Sequence, residues 1–146
     1  MEQKNTQRVD NLIWRVAKQL NKRKRAVLEE FDLTCSQYDL LAAIWQSTRE
    51  KKGVIQVDLA ERTQIDPMTT STILRNLQKR NLIIRERGLV NTRTVEIELT
   101  YSGSRLYQIA KRQIDQMREE TYQSVDQQQI ISQLLILSNK LNKSNH

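Results

Sequence analysis

The residues of this chain whose types and spacing could do chemistry are concentrated in one stretch, residues 66–82, DPMTTSTILRNLQKRNL. Asp66 can cap a helix through its carboxylate. Pro67, the only proline in the chain, fits the first helical position, where no backbone N–H is missed. Ile73, Leu74 and Leu77 follow at a three-to-four spacing that predicts one buried stripe. The opposite face carries Ser71, Thr72, Arg75 and Lys79, with Thr69 at the helix mouth. Small hydroxyl donors near a helix N-terminus, with an arginine one turn on, are groups that can read base edges in a DNA major groove. A merely solvated face can have the same composition, so the surrounding elements decide between the two.

Other kinds of chemistry find few residues. There is one cysteine, Cys35, and one histidine, His146, the last residue. No disulfide can form within one chain, and a zinc site of the usual Cys/His kind lacks ligands. A catalytic set built on histidine would have to recruit a terminal residue. The acidic residues fall mostly on predicted exposed faces, so no buried titratable cluster points to an enzyme. No cofactor is implied. No segment approaches a transmembrane span and the N-terminus is polar, so a cytoplasmic protein without membrane partners is expected. Cys35 has two readings. At a helix N-terminus the dipole would acidify the thiol and suit it to a redox switch; otherwise it is a small, partly buried residue.

The 146 residues suit one domain or two small intertwined ones. A hydrophobic content of 38% is low for a self-sufficient monomer and fits a helical protein that completes its core with a second copy. A net charge of +7 and a sequence pI of about 9.8 favour polyanionic partners.

The elements that must position residues 66–82 can be read in order. Residues 7–31 predict a long amphipathic helix, interrupted by the basic run Asn21-Lys22-Arg23-Lys24-Arg25, a phosphate contact or a solvated face. Thr34 or Ser36 caps a second helix over 36–48 that is mostly core. Val54-Ile55 is too short to stand alone and adds an edge strand to a later hairpin. Residues 56–63 form a short helix, and Thr63-Gln64-Ile65 turns into the helix opened by Asp66. Helix, short turn and capped second helix is a helix-turn-helix. Asn81 suits a left-handed C-cap. Residues 82–87 and the strictly alternating 94–99 predict two strands joined by an arginine-bearing loop, a wing whose tip can reach a minor groove. Thr100 caps a helix over 101–122. After a break near Ser124-Val125-Asp126, residues 127–141 form a last helix with Ile130, Leu134, Leu137 and Leu141 in a seven-residue repeat. Its broad apolar face needs the first helix or a second subunit. The fold class expected is mainly α with a small hairpin: a winged helix-turn-helix over residues 36–99, flanked by helical dimerisation segments at 1–35 and 100–146.

An ordered series of motifs resembles the MarR family of bacterial winged-helix transcription regulators over nearly the whole chain. Leu33-Thr34-Cys35-Ser36-Gln37 resembles the family's LTxxQ entry to its second helix, and Gln56-Val57-Asp58-Leu59-Ala60-Glu61-Arg62 its QxxLAER helix. Leu82-Ile83-Ile84-Arg85 stands at its GLVxR strand, Asn91-Thr92-Arg93 at its wing DxR, and Leu99-Thr100-Tyr101-Ser102-Gly103 at its LTxxG helix start. The resemblance implies a homodimer held by the first and last two helices. It would present two recognition helices and two wings to a pseudo-palindromic operator in double-stranded DNA. Carried over by position, Thr69, Ser71, Thr72 and Arg75 would read base edges, and Arg93 would enter the minor groove. Gln56, Lys79 and Arg87 would hold phosphates. It implies a repressor released by a small, often aromatic effector, for which Trp14, Tyr38, Trp45 and Tyr107 are candidate pocket residues or plain core. The family's oxidation sensors carry their cysteine in the first helix, which Cys35 does not match. A protein–protein adaptor using the same fold is the alternative to DNA binding.

Three departures stand out. Asn91 replaces the usual wing aspartate and should place Arg93 less firmly. Ile55 stands where a Ser or Thr cap is common. Leu89-Val90 makes the wing tip apolar, folded back on the hairpin or marking a short or mobile wing.

Overall fold

A computed structural model describes residues 2–50, 53–89, 91 and 93–144. The elements run α1 (Glu2–Glu29), α2 (Cys35–Arg49), α3 (Gln56–Thr63), α4 (Pro67–Lys79), β1 (Ile83–Arg87), β2 (Val95–Leu99), α5 (Tyr101–Tyr122) and α6 (Gln127–Ser144). The mainly helical fold with one hairpin is as the sequence predicts. The first helix starts earlier than expected, because nothing between Glu2 and residue 7 stops it. The chain divides into two compact bodies, residues 1–114 and 115–146.

In the first body α2 is the central element, packing against α1, α3, α4 and β2. Leu40, Leu41 and Ile44 of α2 are wholly enclosed, as are Leu28, Leu74 and Leu77. Leu59, Ile83 and Ile97 are nearly so. Each such side chain contributes about 1.5–3 kcal/mol by leaving water, so α2 fixes where α3, α4 and the hairpin sit. Thr34, of the two candidates, is the N-cap: its hydroxyl accepts from Gln37 N–H at 3.1 Å while Gln37 Oε1 accepts from Thr34 N–H at 3.0 Å. This reciprocal pair satisfies two helix-end donors at once.

Three helices end without glycine. Asp32, Gln64 and Asn81 take left-handed φ values of 53°, 61° and 59°. At Asn81 the chain closes a double hydrogen bond, Asn81 N–H to Gln78 carbonyl at 3.0 Å and Leu82 N–H to Leu77 carbonyl at 3.0 Å. The same closure, Leu33 N–H to Leu28 carbonyl at 3.2 Å, ends α1.

β1 and β2 pair antiparallel, with Ile83 opposite Leu99 and Arg87 opposite Val95. Val54-Ile55 extends the hairpin as expected: Ile97 N–H donates to the Val54 carbonyl at 2.9 Å and Ile55 bridges Glu96. Strand alternation puts Arg85 and Arg87 on one face of β1 and Glu86 on the other, where it lies directly opposite Glu96. The hairpin is tied to α5 through Thr100, whose N–H donates to the Leu82 carbonyl at 3.1 Å and whose hydroxyl donates to the Asn81 carbonyl at 2.6 Å. That hydroxyl also accepts from Gly103 N–H at 3.0 Å, capping α5.

In the second body, α6 opens on Asp126, whose carboxylate accepts from Gln129 N–H at 3.1 Å. Ile130, Ile131, Leu134, Leu135, Ile136 and Leu141 of this helix remain exposed. Among the described residues no helix is long and apolar enough to cross a membrane, and no acidic, cysteine or histidine group is arranged to hold a metal.

Candidate nucleic-acid interface

The geometry of α4 begins at its cap. Asp66 Oδ1 accepts from Thr69 N–H at 2.9 Å, and Pro67 occupies the first turn. Hydrogen bonding from Thr69 holds the Asp66 carboxyl below the ordinary aspartate range, since a bonded carboxylate resists protonation. The buried stripe differs from the predicted one at one position. Thr70, not Ile73, joins Leu74 and Leu77 as a fully buried residue, and Ile73 is half-buried. Thr70 can enter the core because its hydroxyl donates to the Ile65 carbonyl at 3.3 Å. A hydroxyl satisfied within its own turn carries little burial penalty.

The stripe leaves Thr69, Thr72, Arg75 and Lys79 exposed, while Ser71 is half-buried. Thr72, Arg75 and Lys79 share one side of the helix by their spacing of three and four. Two of these groups are parked on their own helix: Thr72 hydroxyl donates to Met68 carbonyl at 3.1 Å, and Arg75 Nε to Ser71 carbonyl at 3.4 Å. Met68, 83% exposed in the first turn, was missed in the sequence. An apolar residue there suits a thymine methyl, but it breaks no helical pattern and gave no signal.

Gln56 is the first residue of α3 and is half-buried. Its Oε1 accepts from Arg85 Nη2 at 2.8 Å, joining the start of α3 to β1. Burial lowers the Arg85 pKa, and the positive charge of Arg75 lowers it further. Arg85 Nε is buried without a hydrogen-bond partner. In the sequence Arg85 stands only within a strand motif; its interaction with Arg75 arises from the packing of α4 on β1 and has no signature in sequence spacing. The predicted weakness at α3 is present: Ile55 is the N-cap and offers no side-chain bond.

Arg87 and Arg93 are both exposed. Asn91 Oδ1 accepts from the Arg93 backbone N–H at 3.0 Å, and the Asn91 carbonyl accepts from Thr94 N–H at 3.1 Å. The residue that replaces the wing acid thus shapes the loop backbone instead of bonding the Arg93 guanidinium. Leu89 is 96% exposed and so does not fold back; Val90 and Thr92 lie outside the described residues.

Cys35 opens α2 and is half-buried. Burial pushes its thiol up and Asp39 pushes it further, outweighing Lys24 and Arg25. The thiol faces the Asn21 carbonyl at 3.8 Å, so the local environment favours the protonated form. Among the aromatic candidates, Tyr107 stacks at 5.6 Å on both Tyr38 and Trp45. Tyr38 and Tyr107 are buried core. Trp14 stands apart, 66% exposed on α1 with Lys18 over its ring.

A capped second helix, a short turn before it and a two-stranded wing after it define a winged helix-turn-helix. Residues 22–117 match the family described as transcriptional regulator SarA/Rot, and the chain belongs to that family of regulators, which are not enzymes. It is 30% identical over 92 residues to the HTH-type transcriptional regulator YdcH of Bacillus subtilis, a match that spans 63% of each chain and so under two thirds of YdcH. It is 28% identical over 114 residues to the regulator SarZ of Staphylococcus saprophyticus, 75% of each. Among solved structures it resembles MepR of Staphylococcus aureus in complex with DNA, with TM-score 0.80 and 25% identity over 92% of this chain and 96% of MepR. A MarR-family regulator from Rhodococcus shares the fold with TM-score 0.76 at 20% identity, over 93% of both chains.

Proposed function

We propose that this protein is a homodimeric, sequence-specific DNA-binding regulator, most simply a repressor released by a small aromatic effector. One observation carries the reading. α4 is fixed to the core by Thr70, Leu74 and Leu77 while Thr69, Thr72, Arg75 and Lys79 face solvent behind an Asp66 cap. In this reading Thr69, Ser71, Thr72 and Arg75 approach base edges, Lys79 and Arg87 approach phosphates, and Arg93 enters the minor groove. The MepR complex, a DNA-bound structure of similar fold, supports it.

The dimer reading is supported by apolar surface that a monomer leaves in water. Val9, Leu12, Ile13 and Val16 of α1 are exposed, as is the apolar face of α6. Exposed patches of this kind mark interaction surfaces, and their position on the terminal helices suits dimerisation segments at 1–35 and 100–146. Two recognition helices should then read half-sites roughly 10 bp apart.

The test is a mobility shift with a duplex from the protein's own promoter region against random duplex at moderate salt, alongside light scattering for mass. Preference for the promoter duplex by a dimer, abolished on adding a phenolic compound, is the expected result. Equal binding to both duplexes ends the sequence-specific reading, and no salt-dependent binding at all favours the protein–protein adaptor. Release by peroxide in place of phenolics would move the signal to Cys35, which its raised pKa disfavours.

A further inference from the structure

Arg85 stands out among the cationic side chains of the first body. It is half-buried at the centre of β1, yet among the described residues no ion pair joins it to a carboxylate. Its single hydrogen-bond partner is the neutral Gln56 Oε1, at 2.8 Å, and its Nε is buried with none. The charge that acts on it is another guanidinium, Arg75 of α4. Two arginines close enough to repel, one of them partly out of water, are unfavourable in the free protein. An arginine held half out of water for stability alone is expected to have an acid beside it. An anion placed at this guanidinium would offset the repulsion and supply the opposite charge it lacks, and guanidinium is well matched to phosphate oxygens.

We propose that Arg85 is a phosphate-binding residue of the DNA interface and that Gln56 is its positioning residue, not itself a phosphate ligand. This role rests on the DNA-binding reading above. Gln56 holds one edge of the guanidinium through a neutral acceptor, which fixes its direction without cancelling its charge. A carboxylate at the same place would cancel it. The backbone phosphate received there lies between the groove entered by α4 and the groove reached by the wing, so Arg85 sets how the two elements share one duplex. Arg75 keeps its role at the base edges, with its repulsion from Arg85 screened once the phosphate is in place.

The experiment measures binding of the full chain to promoter and random duplexes by fluorescence anisotropy over a salt series. For Arg85→Gln, the slope of log K against log salt should fall by about 0.9 for each phosphate no longer held, with affinity near 0.1 M salt reduced roughly tenfold per phosphate on both duplexes alike. In a double-mutant cycle, Gln56→Ala should weaken binding in the wild-type background and add nothing once Arg85 is Gln. Gln56→Glu pairs with Arg85 in place and should cut the slope further than Val57→Glu, a control that adds the same charge on the exposed neighbour. This variant keeps Arg85 bonded to α3 and remains informative should Arg85→Gln not fold. If wild type shows no salt-dependent binding, the DNA reading itself fails and this inference with it. If wild type binds normally but Arg85→Gln keeps the full slope, or Gln56→Glu matches Val57→Glu, Arg85 is only a structural link between α3 and β1. Additive losses in the cycle would overturn the positioning role of Gln56.

Discussion

Gly103→Ala probes the joint that holds the wing. Gly103 lies in the first turn of α5, where the helix start presses on the backbone that leads into β1. A Cβ built there would fall on the Leu82 carbonyl oxygen and 2.8 Å from its carbonyl carbon, where ordinary contact begins at 3.4 Å. The carbonyl oxygen is nearer still and sets the requirement, so the two backbones must part by more than about 1 Å. No side chain can rotate to absorb this, because the atoms met belong to the main chain. The Leu82 carbonyl also accepts from Thr100 N–H at 3.1 Å, and separation stretches that bond. Overpacking costs about 1–3 kcal/mol and the weakened hydrogen bond about 1 kcal/mol. Replacing glycine in a helix returns about 0.5–1 kcal/mol. The net expectation is a loss of about 1–3.5 kcal/mol, or a fall in Tm of roughly 2–14 °C for a chain of this size. Thermal unfolding followed by circular dichroism reads it, at equal protein concentration because association shifts apparent stability. Gly53→Ala is the comparison: a Cβ there meets nothing within 4 Å, and its effect should stay within about 0.5 kcal/mol. Equal stability of the two variants would refute the claim that close approach at Leu82 requires glycine at residue 103.

The cap, a turn and the thiol can each be perturbed in the same way. Asp66 has a folded pKa below its ordinary value, so its contribution is complete above the ordinary aspartate range and is lost as pH falls through the lowered value. Asp66→Asn keeps a capping oxygen but removes the titration, and acid unfolding curves should show a shallower decline than wild type below that range. Gln64 holds a left-handed conformation, φ 61°, at the end of α3. Gln64→Gly should raise stability in urea unfolding by about 0.5 kcal/mol, strain relief exceeding the entropic cost of glycine; a decrease would mean that the Gln64 side-chain bond to the Glu61 carbonyl, at 2.7 Å, outweighs the strain. Cys35→Ser should leave DNA affinity and its response to peroxide unchanged in a mobility shift, since burial and Asp39 keep the thiol protonated. A peroxide response abolished by this substitution would overturn that expectation.

Much of the architecture was legible in the sequence because local chemistry and tertiary structure agree. Asp66-Pro67 can only open a helix, Asn81 tolerates the conformation that closes it, and the alternation of residues 94–99 allows one strand face inward. At the start of α2 the sequence offered two caps, Thr34 and Ser36, and the reciprocal bonds with Gln37 select Thr34. The pairing of Val54-Ile55 with the hairpin was readable for a different reason: two apolar residues after a polar connector have nowhere else to be satisfied.

What the sequence could not settle are the relations between residues far apart in the chain. Thr70 and Ile73 compete for the same stripe, and the winner depends on the angle at which α4 meets α2; a carbonyl at Ile65 within reach of the Thr70 hydroxyl decided it. Cys35 sits at a helix start, where the dipole argues for an acidic thiol, but Asp39 and burial reverse the sign. Gln56 and Arg85 are 29 positions apart, and no periodicity links them. Periodicity and capping act within a turn or two of chain and so determined the elements and the polar face of α4. Desolvation, the repulsion between Arg75 and Arg85, and the fit of Gly103 on Leu82 act through space, and only the packing of α3, α4 and α5 around the hairpin brings those groups together.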